Sequence, residues 1–239
     1  MSIDVVRATG NTGVLLSTTN LTLDITQPYT VMFWLKPVTA LSQYYRAYRF
    51  DTDSSNYDMF ETDGNMTTLN ARSVVGGSSD QTFQASLVVG TWTHIAFVAE
   101  AANIKIMQDG TNVQTKVRTL DETSRAAATL FQLGREGLSG GERGFSYFAM
   151  KVYQRAMTAA EVFEESNCVY PKSTANLINW HPLWGTADAK DYYGTMDLTV
   201  GSACLDGTDN PAIAYSSGQE RYVVTSSGAP AARRIFLIS

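Results

Sequence analysis

Apolar residues along this chain recur mostly at every second position, the spacing of a strand with one face buried. Tyr29-Thr-Val-Met-Phe-Trp-Leu35 puts Val31, Phe33 and Leu35 on one face. From Gln43 to Phe50, Tyr44, Arg46, Tyr48 and Phe50 share one side. Trp92-Thr-His-Ile-Ala-Phe-Val-Ala99 is apolar almost throughout and reads as a strand covered on both faces. Ile104-Lys-Ile-Met-Gln108 and Val113 to Val117 flank Asp109-Gly110. These three segments predict a meander, with glycine supplying the positive φ of its second turn. Leu130 to Leu133 and Phe145 to Tyr153 add two further strands. One segment changes period. Thr158-Ala-Ala-Glu161 has the spacing of a capping box, which predicts a helix from Ala159 to about Asn167, ended before Pro171. Many short strands and one short helix predict an all-β, antiparallel jelly-roll β-sandwich.

The remainder reads differently. Asn176 to Trp184 is apolar and rich in tryptophan, Asp191-Tyr-Tyr-Gly194 is a turn, and Met196 to Val200 is one more strand. Ser216-Ser-Gly218 and Ser226 to Ala232 have linker composition, and the chain closes on Arg233-Arg-Ile-Phe-Leu-Ile-Ser239. The expected organisation is a sandwich over 1–170 and a C-terminal extension over 171–239. The extension packs either on the sandwich or on a neighbouring subunit, with Arg234, Ile235, Phe236, Leu237 and Ile238 as docking residues.

Composition narrows the partners. Of 239 residues, 44% are hydrophobic and 17% charged, the balance of a globular chain with ample core. The net charge is −5 and the basic residues are scattered, so the clustered footprint that nucleic acid requires is missing. No run approaches the ~18 apolar residues of a membrane helix. The opening Met1-Ser-Ile-Asp-Val-Val-Arg7 has no basic stretch leading into an apolar one, so no signal peptide is expected and the chain is assembled in a cytoplasm. Cys168 and Cys204 read as thiols serving as small apolar residues.

Three segments carry a family likeness. Trp92-Thr-His-Ile-Ala-Phe followed by Ile104-Lys-Ile-Met-Gln-Asp-Gly110 resembles the central meander of laminin-G-like, concanavalin A-like sandwiches. Phe148 to Val162, with Tyr153, Arg155, Ala156, Thr158 and Glu161, is similar to the closing strand and helix of that family. Tyr29 to Pro37 is similar to its early strand. Trp180, Pro182, Leu183, Asp191, Gly194 and Leu198-Thr-Val200 resemble an extension found beside such sandwiches in bacteriophage and prophage proteins. The resemblance implies a non-catalytic virion structural protein, a capsid decoration (cement) or head-fibre subunit at the virion surface. Capsid or other virion proteins and further copies of the chain would then be its partners. The alternative it implies is a carbohydrate-binding, lectin-like receptor-recognition module for host surface glycans.

Candidate chemistry is sparse. The glucanases of the related fold need paired carboxylates in an E-x-D-x-E strand, which this chain lacks, so no catalytic residue is assigned. Glu161, Glu164 and Glu165 on the predicted helix read as a solvated face. His94 and His181 read as packed residues. Asp51, Asp53, Asn56 and Asp58 are the candidate ligands for calcium, the one cofactor considered, with Asp206 to Asn210 as a second such loop. Tyr44, Tyr48 and Tyr57 are the candidate sugar-stacking residues, against which stands an ordinary half-buried strand. The four tryptophans read as core.

Overall fold

A computed structural model describes residues 2–6, 15–17, 23–38, 45–62, 68–120, 128–136, 143–200, 204–207 and 209–211. Among these residues two antiparallel sheets face each other. The first runs β10 (Thr111–Val117), β9 (Asn103–Gln108), β8 (Thr93–Ala99), β3 (Tyr29–Pro37), β12 (Arg143–Tyr153), β1 (Ile3–Val6) and β15 (Cys204–Asp206). In it, β13 (Leu177–His181) pairs with the C-terminal half of β12. The second sheet runs β14 (Leu198–Val200), β2 (Leu15–Ser17), β11 (Leu130–Glu136), β4 (Tyr45–Asp53), β5 (Asn56–Thr62), β6 (Thr68–Val75) and β7 (Ser78–Ser86). The expected meander is β8–β9–β10, closed by Asp109 (φ 49°) and Gly110 (φ 76°) in the doubly left-handed form of a two-residue hairpin.

The core fills the space between the sheets. Phe33 and Phe97 of the first sheet meet Tyr48, Phe50 and Phe60 of the second, all fully buried. Their rings pack edge to face or tilted: Phe33–Tyr48 at 6.0 Å, Tyr48–Phe60 at 5.0 Å and Phe60–Phe97 at 5.4 Å. Each burial contributes about 2–3 kcal/mol, and the quadrupolar arrangement adds to it.

Two irregularities move side chains between faces. In β12, Phe145 and Tyr147 point into the core, but so do Met150 and Val152. The pairing with β3 shifts between Phe148 and Lys151, where Ala149 takes φ 51°. This bulge reverses the alternation, so Lys151 and Tyr153 emerge on the outer face, beneath α1 (Ala159–Ser166). The helix has the expected capping box, with Glu161 N donating to Thr158 Oγ1 at 3.3 Å and Thr158 N donating to Glu161 Oε2 at 2.8 Å. The expectation of a solvated glutamate face fails at Glu165, which is 2% exposed. Its Oε2 accepts from Lys151 Nζ at 2.6 Å, and its Oε1 accepts from Tyr153 Oη at 3.0 Å and from the Lys172 amide at 2.9 Å. Lys151 Nζ also donates to the carbonyls of Glu165 and Cys168. Every donor and acceptor of the pair is used, which is what lets two charges persist out of water.

The 177–211 segment is woven into both sheets, since β13 and β15 extend the first and β14 extends the second. Cys168 and Cys204 are buried, with no disulfide between them. Residues 234–238 lie outside the described residues.

Candidate functional site

The outer surface of the first sheet carries a cluster of aromatic residues outside the main core, Trp34, Trp92 and Phe148 among them. Once Phe33 and Leu35 of β3 point inward, Trp34 and Lys36 must point outward. Trp34 lies edge-on to buried His94 at 5.4 Å and donates from Nε1 to the Ser166 carbonyl at 3.2 Å. Trp92 precedes β8 in a loop tied by Gly90 N to Pro37 O and by Thr91 N to Val88 O. Its ring packs edge-on to Phe148 at 6.5 Å and carries Lys36 Nζ 5.3 Å above its centroid. Lys36 in turn forms an ion pair with Asp209. Val88 and Val89 of the same loop are exposed.

Past Phe148, Ala149 and Val169, the surface continues into the segment that follows α1. There Tyr170, Trp180, Trp184 and Tyr192 are all half-buried. Asp191 sets their positions. Its Oδ1 accepts from the amides of Trp180, Tyr193 and Gly194 at 2.9–3.0 Å, and its Oδ2 accepts from Asn179 Nδ2 and the Met196 amide. Tyr192 N donates to Trp180 O at 2.8 Å, which completes the clasp between the turn and β13. Burial raises the Asp191 carboxyl, but the hydrogen bonds from Asn179, Trp180 and Gly194 outweigh it and hold the group below its ordinary value.

The residues singled out in the sequence are placed elsewhere. Tyr48 is 0% exposed, enclosed by Phe33, Phe50, Phe60 and Phe97, so it cannot stack on a sugar. Tyr57 lies on the opposite face of the second sheet, opposite Asp51, with the Arg49 guanidinium 3.8 Å above its ring. Tyr44 lies outside the described residues. The proposed calcium set is likewise divided by the pleat. Asp58 pairs with Phe50, points into the core and accepts from Tyr29 Oη. Asp51 is engaged by Arg49, while exposed Asp53 accepts from the Ser55 amide and Asn56 Nδ2. In the second loop, Asp206 accepts from Thr186 N and Oγ1, and Asp209 pairs with Lys36. Among the described residues no three His, Cys, Asp or Glu side chains converge on a metal-sized site.

The tryptophans, read from sequence as core, lie outside the main core but pack, half-buried, against the two smaller apolar clusters. A sequence signal for this existed: five aromatic residues fall within Tyr170–Tyr193, where the only described strand, β13, is five residues long.

Solved structures of other proteins share the sandwich. The receptor-binding domain of botulinum neurotoxin D superposes with a TM-score of 0.52 at 12% identity, over 68% of this chain and 46% of that one. The binding domain of Paraclostridial Mosquitocidal Protein 1 gives 0.52 at 14% identity, over 66% of this chain and 42% of that one. Botulinum neurotoxin type C, which depends on interaction with two ganglioside molecules to enter cells, gives 0.50 at 12% identity, over 60% of this chain and 36% of that one. This chain therefore spans less than half the length of each. No curated protein matches it in sequence. The sequence profile of the concanavalin A-like lectin/glucanase superfamily, laminin-G type, matches residues 8–163, and the chain belongs to that family.

Proposed function

We propose that this chain is a non-catalytic carbohydrate-binding module whose ligand lies along the outer aromatic face of the first sheet, with Trp92 as the main stacking platform. The observation that carries this reading is the distribution of indoles. All four tryptophans lie outside the main core, half-buried against the smaller apolar clusters of the outer face, so each keeps part of its surface accessible. An indole face receives the C–H groups of a sugar ring, and nearby polar groups fix its hydroxyls. Around Trp92 these are Lys36, Asp209 and Thr91. The fold hosts many activities, so the site rather than the likeness to toxin domains is the basis of the reading, although the ganglioside dependence of one such neighbour agrees with it. His94 and His181 are buried and unable to meet a ligand, which supports the non-catalytic part.

The test is a glycan array that includes sialylated gangliosides and bacterial surface polysaccharides, followed by calorimetric titration of the best ligand. Trp92→Ala is expected to weaken binding roughly tenfold, the equivalent of about 1.4 kcal/mol. Tyr57→Ala, on the opposite sheet, is expected to leave it unchanged. An array blank for the unmodified protein, or a loss confined to Tyr57→Ala, would overturn the reading.

For the setting, we propose a bacteriophage virion surface, with assembly in the host cytoplasm. The resemblance of Trp180, Asp191, Gly194 and Leu198 to the phage-type pattern supports it; Trp180 and Gly194 both donate to Asp191, and Leu198 lies in β14. Capsid or fibre proteins would then be the docking partners. Antibody labelling of purified particles tests this, and unlabelled particles from a lysate containing the soluble protein count against it.

A further inference from the structure

Two charges meet beside Trp92, and they are unequally exposed. Lys36 Nζ lies 5.3 Å from the centroid of the indole and forms an ion pair with Asp209. The Lys36 side chain is 13% exposed and that of Asp209 49%. The cation is thus engaged within the protein, between a ring and a carboxylate, and the carboxylate is the charge that solvent meets. The backbone holds Asp209 in this position. Its carbonyl accepts from Ser2 Oγ at 2.8 Å, Ser2 is fully buried, and the Ser2 carbonyl accepts from the Gly207 amide at 2.8 Å. The loop before Trp92, Val88-Val-Gly-Thr91, carries no charge, and both of its valines are exposed.

We infer that Asp209 makes this site selective for neutral sugar units and excludes acidic sugars, of the sialic and uronic acid class, from the position beside Trp92. This selectivity rests on the reading of Trp92 as a sugar platform and goes beyond it by naming the class of sugar. A ligand carboxylate seated at the indole would have Asp209 as its exposed neighbour. Lys36 could answer that carboxylate only by giving up its ion pair with Asp209. Repulsion between like charges at a protein surface is enough for roughly tenfold discrimination. A neutral ring meets no such penalty. Its hydroxyls can donate to the Asp209 carboxylate in charge-assisted hydrogen bonds, while its C–H groups rest on apolar surface. The net charge of −5 acts in the same direction at longer range.

The test titrates the whole protein with matched pairs of oligosaccharides that differ in charge. The pairs are lactose and sialyllactose, asialo and sialylated ganglioside headgroups, and methyl-esterified and free oligogalacturonates. In each pair that binds, the neutral member is expected to bind at least roughly tenfold more tightly, and added salt to narrow the gap by screening. Asp209→Asn keeps the shape and a hydrogen-bond acceptor but removes the charge. It is expected to bring the affinities of the two members close to parity, whatever it does to either alone, while Asp209→Glu keeps the preference. Trp92→Ala is expected to weaken both members alike, which separates loss of the platform from loss of selectivity. An acidic member bound as tightly as its neutral counterpart overturns the assignment and leaves the glycan reading standing. So does a salt-independent preference, or one that persists in a correctly folded Asp209→Asn variant. Absence of binding to both members of every pair overturns the glycan reading and the selectivity with it.

Discussion

At Gly194 a missing side chain lets the turn after β13 close. A Cβ there would lie 2.5 Å from the Ile178 carbonyl, 2.6 Å from Asp191 Oδ2 and 2.8 Å from Asn179 Nδ2. None of these is the loose end of a flexible chain, because Asp191 and Asn179 are bonded to each other and the carbonyl belongs to β13. Gly194→Ala is therefore expected to cost about 2–3 kcal/mol and to lower the melting temperature by roughly 5–10 °C, read by circular dichroism. A melting curve that superposes on the parent would show that the turn relaxes freely. The sequence marked this turn by its Asp-x-x-Gly spacing, since turn chemistry is local. It could not mark the fate of Tyr48 and Tyr57. Both are tyrosines in polar, aromatic-rich strands, and only the β4–β5 register sends one into the core and the other under Arg49. The tryptophans pack on the smaller clusters rather than in the main core for the same reason, because residue type records a preference for burial but not which surface supplies it.

At the scale of elements, the joint between β12 and α1 depends on Lys151 and Glu165. Both ends of the pair are enclosed, at 1% and 2% exposure of the side chains, so removing one charge leaves the other stranded. Glu165→Gln or Lys151→Met alone is expected to destabilise by about 3–5 kcal/mol, while the double variant Lys151→Met with Glu165→Leu recovers most of it. Urea unfolding of the three proteins measures this, and single-variant losses that simply add in the double would mean that the pair is not coupled. The helix itself was legible from Thr158 and Glu161. Its buried glutamate was not, because the bulge at Ala149 turns Lys151 outward, and a period-two reading from Phe145 to Tyr153 cannot anticipate the reversal. The strands β5, β6 and β7 were missed for a different reason. Their outward positions, such as Glu61, Arg72 and Gln81, interrupt the apolar pattern with charge and amide groups, so little hydrophobic contrast remains to signal a strand.

Across the whole molecule, both histidines are locked in the neutral form, and that makes stability depend on pH in a defined window. Burial, and then repulsion from Lys151, lowers His94 to about 3. Burial lowers His181 to about 4, although Asp191 and the Ala189 and Lys190 backbone oppose it. An unfolded histidine titrates near 6.5. Below that pH the unfolded chain gains two protons that the folded chain refuses, so stability is complete above about 6.5 and falls as the pH drops. The loss from His181 ends near pH 4 and that from His94 near pH 3. Each histidine contributes a slope of up to about 1.4 kcal/mol per pH unit, or about 2.7 together between pH 6.5 and 4. The Asp191 carboxyl, held below its ordinary value, adds to the loss only at more acidic pH, where its own proton returns and the clasp on Trp180 and Gly194 weakens. Unfolding free energies measured at pH 7, 6 and 5 are therefore expected to decline steadily, with His94→Gln and His181→Gln each removing about half of the slope. A stability profile flat from pH 7 to 5 would mean that one or both imidazoles take up a proton in place. For His181, beside Asp191 and two backbone carbonyls, that protonated state would bring a positive charge next to the carboxylate that holds the turn after β13.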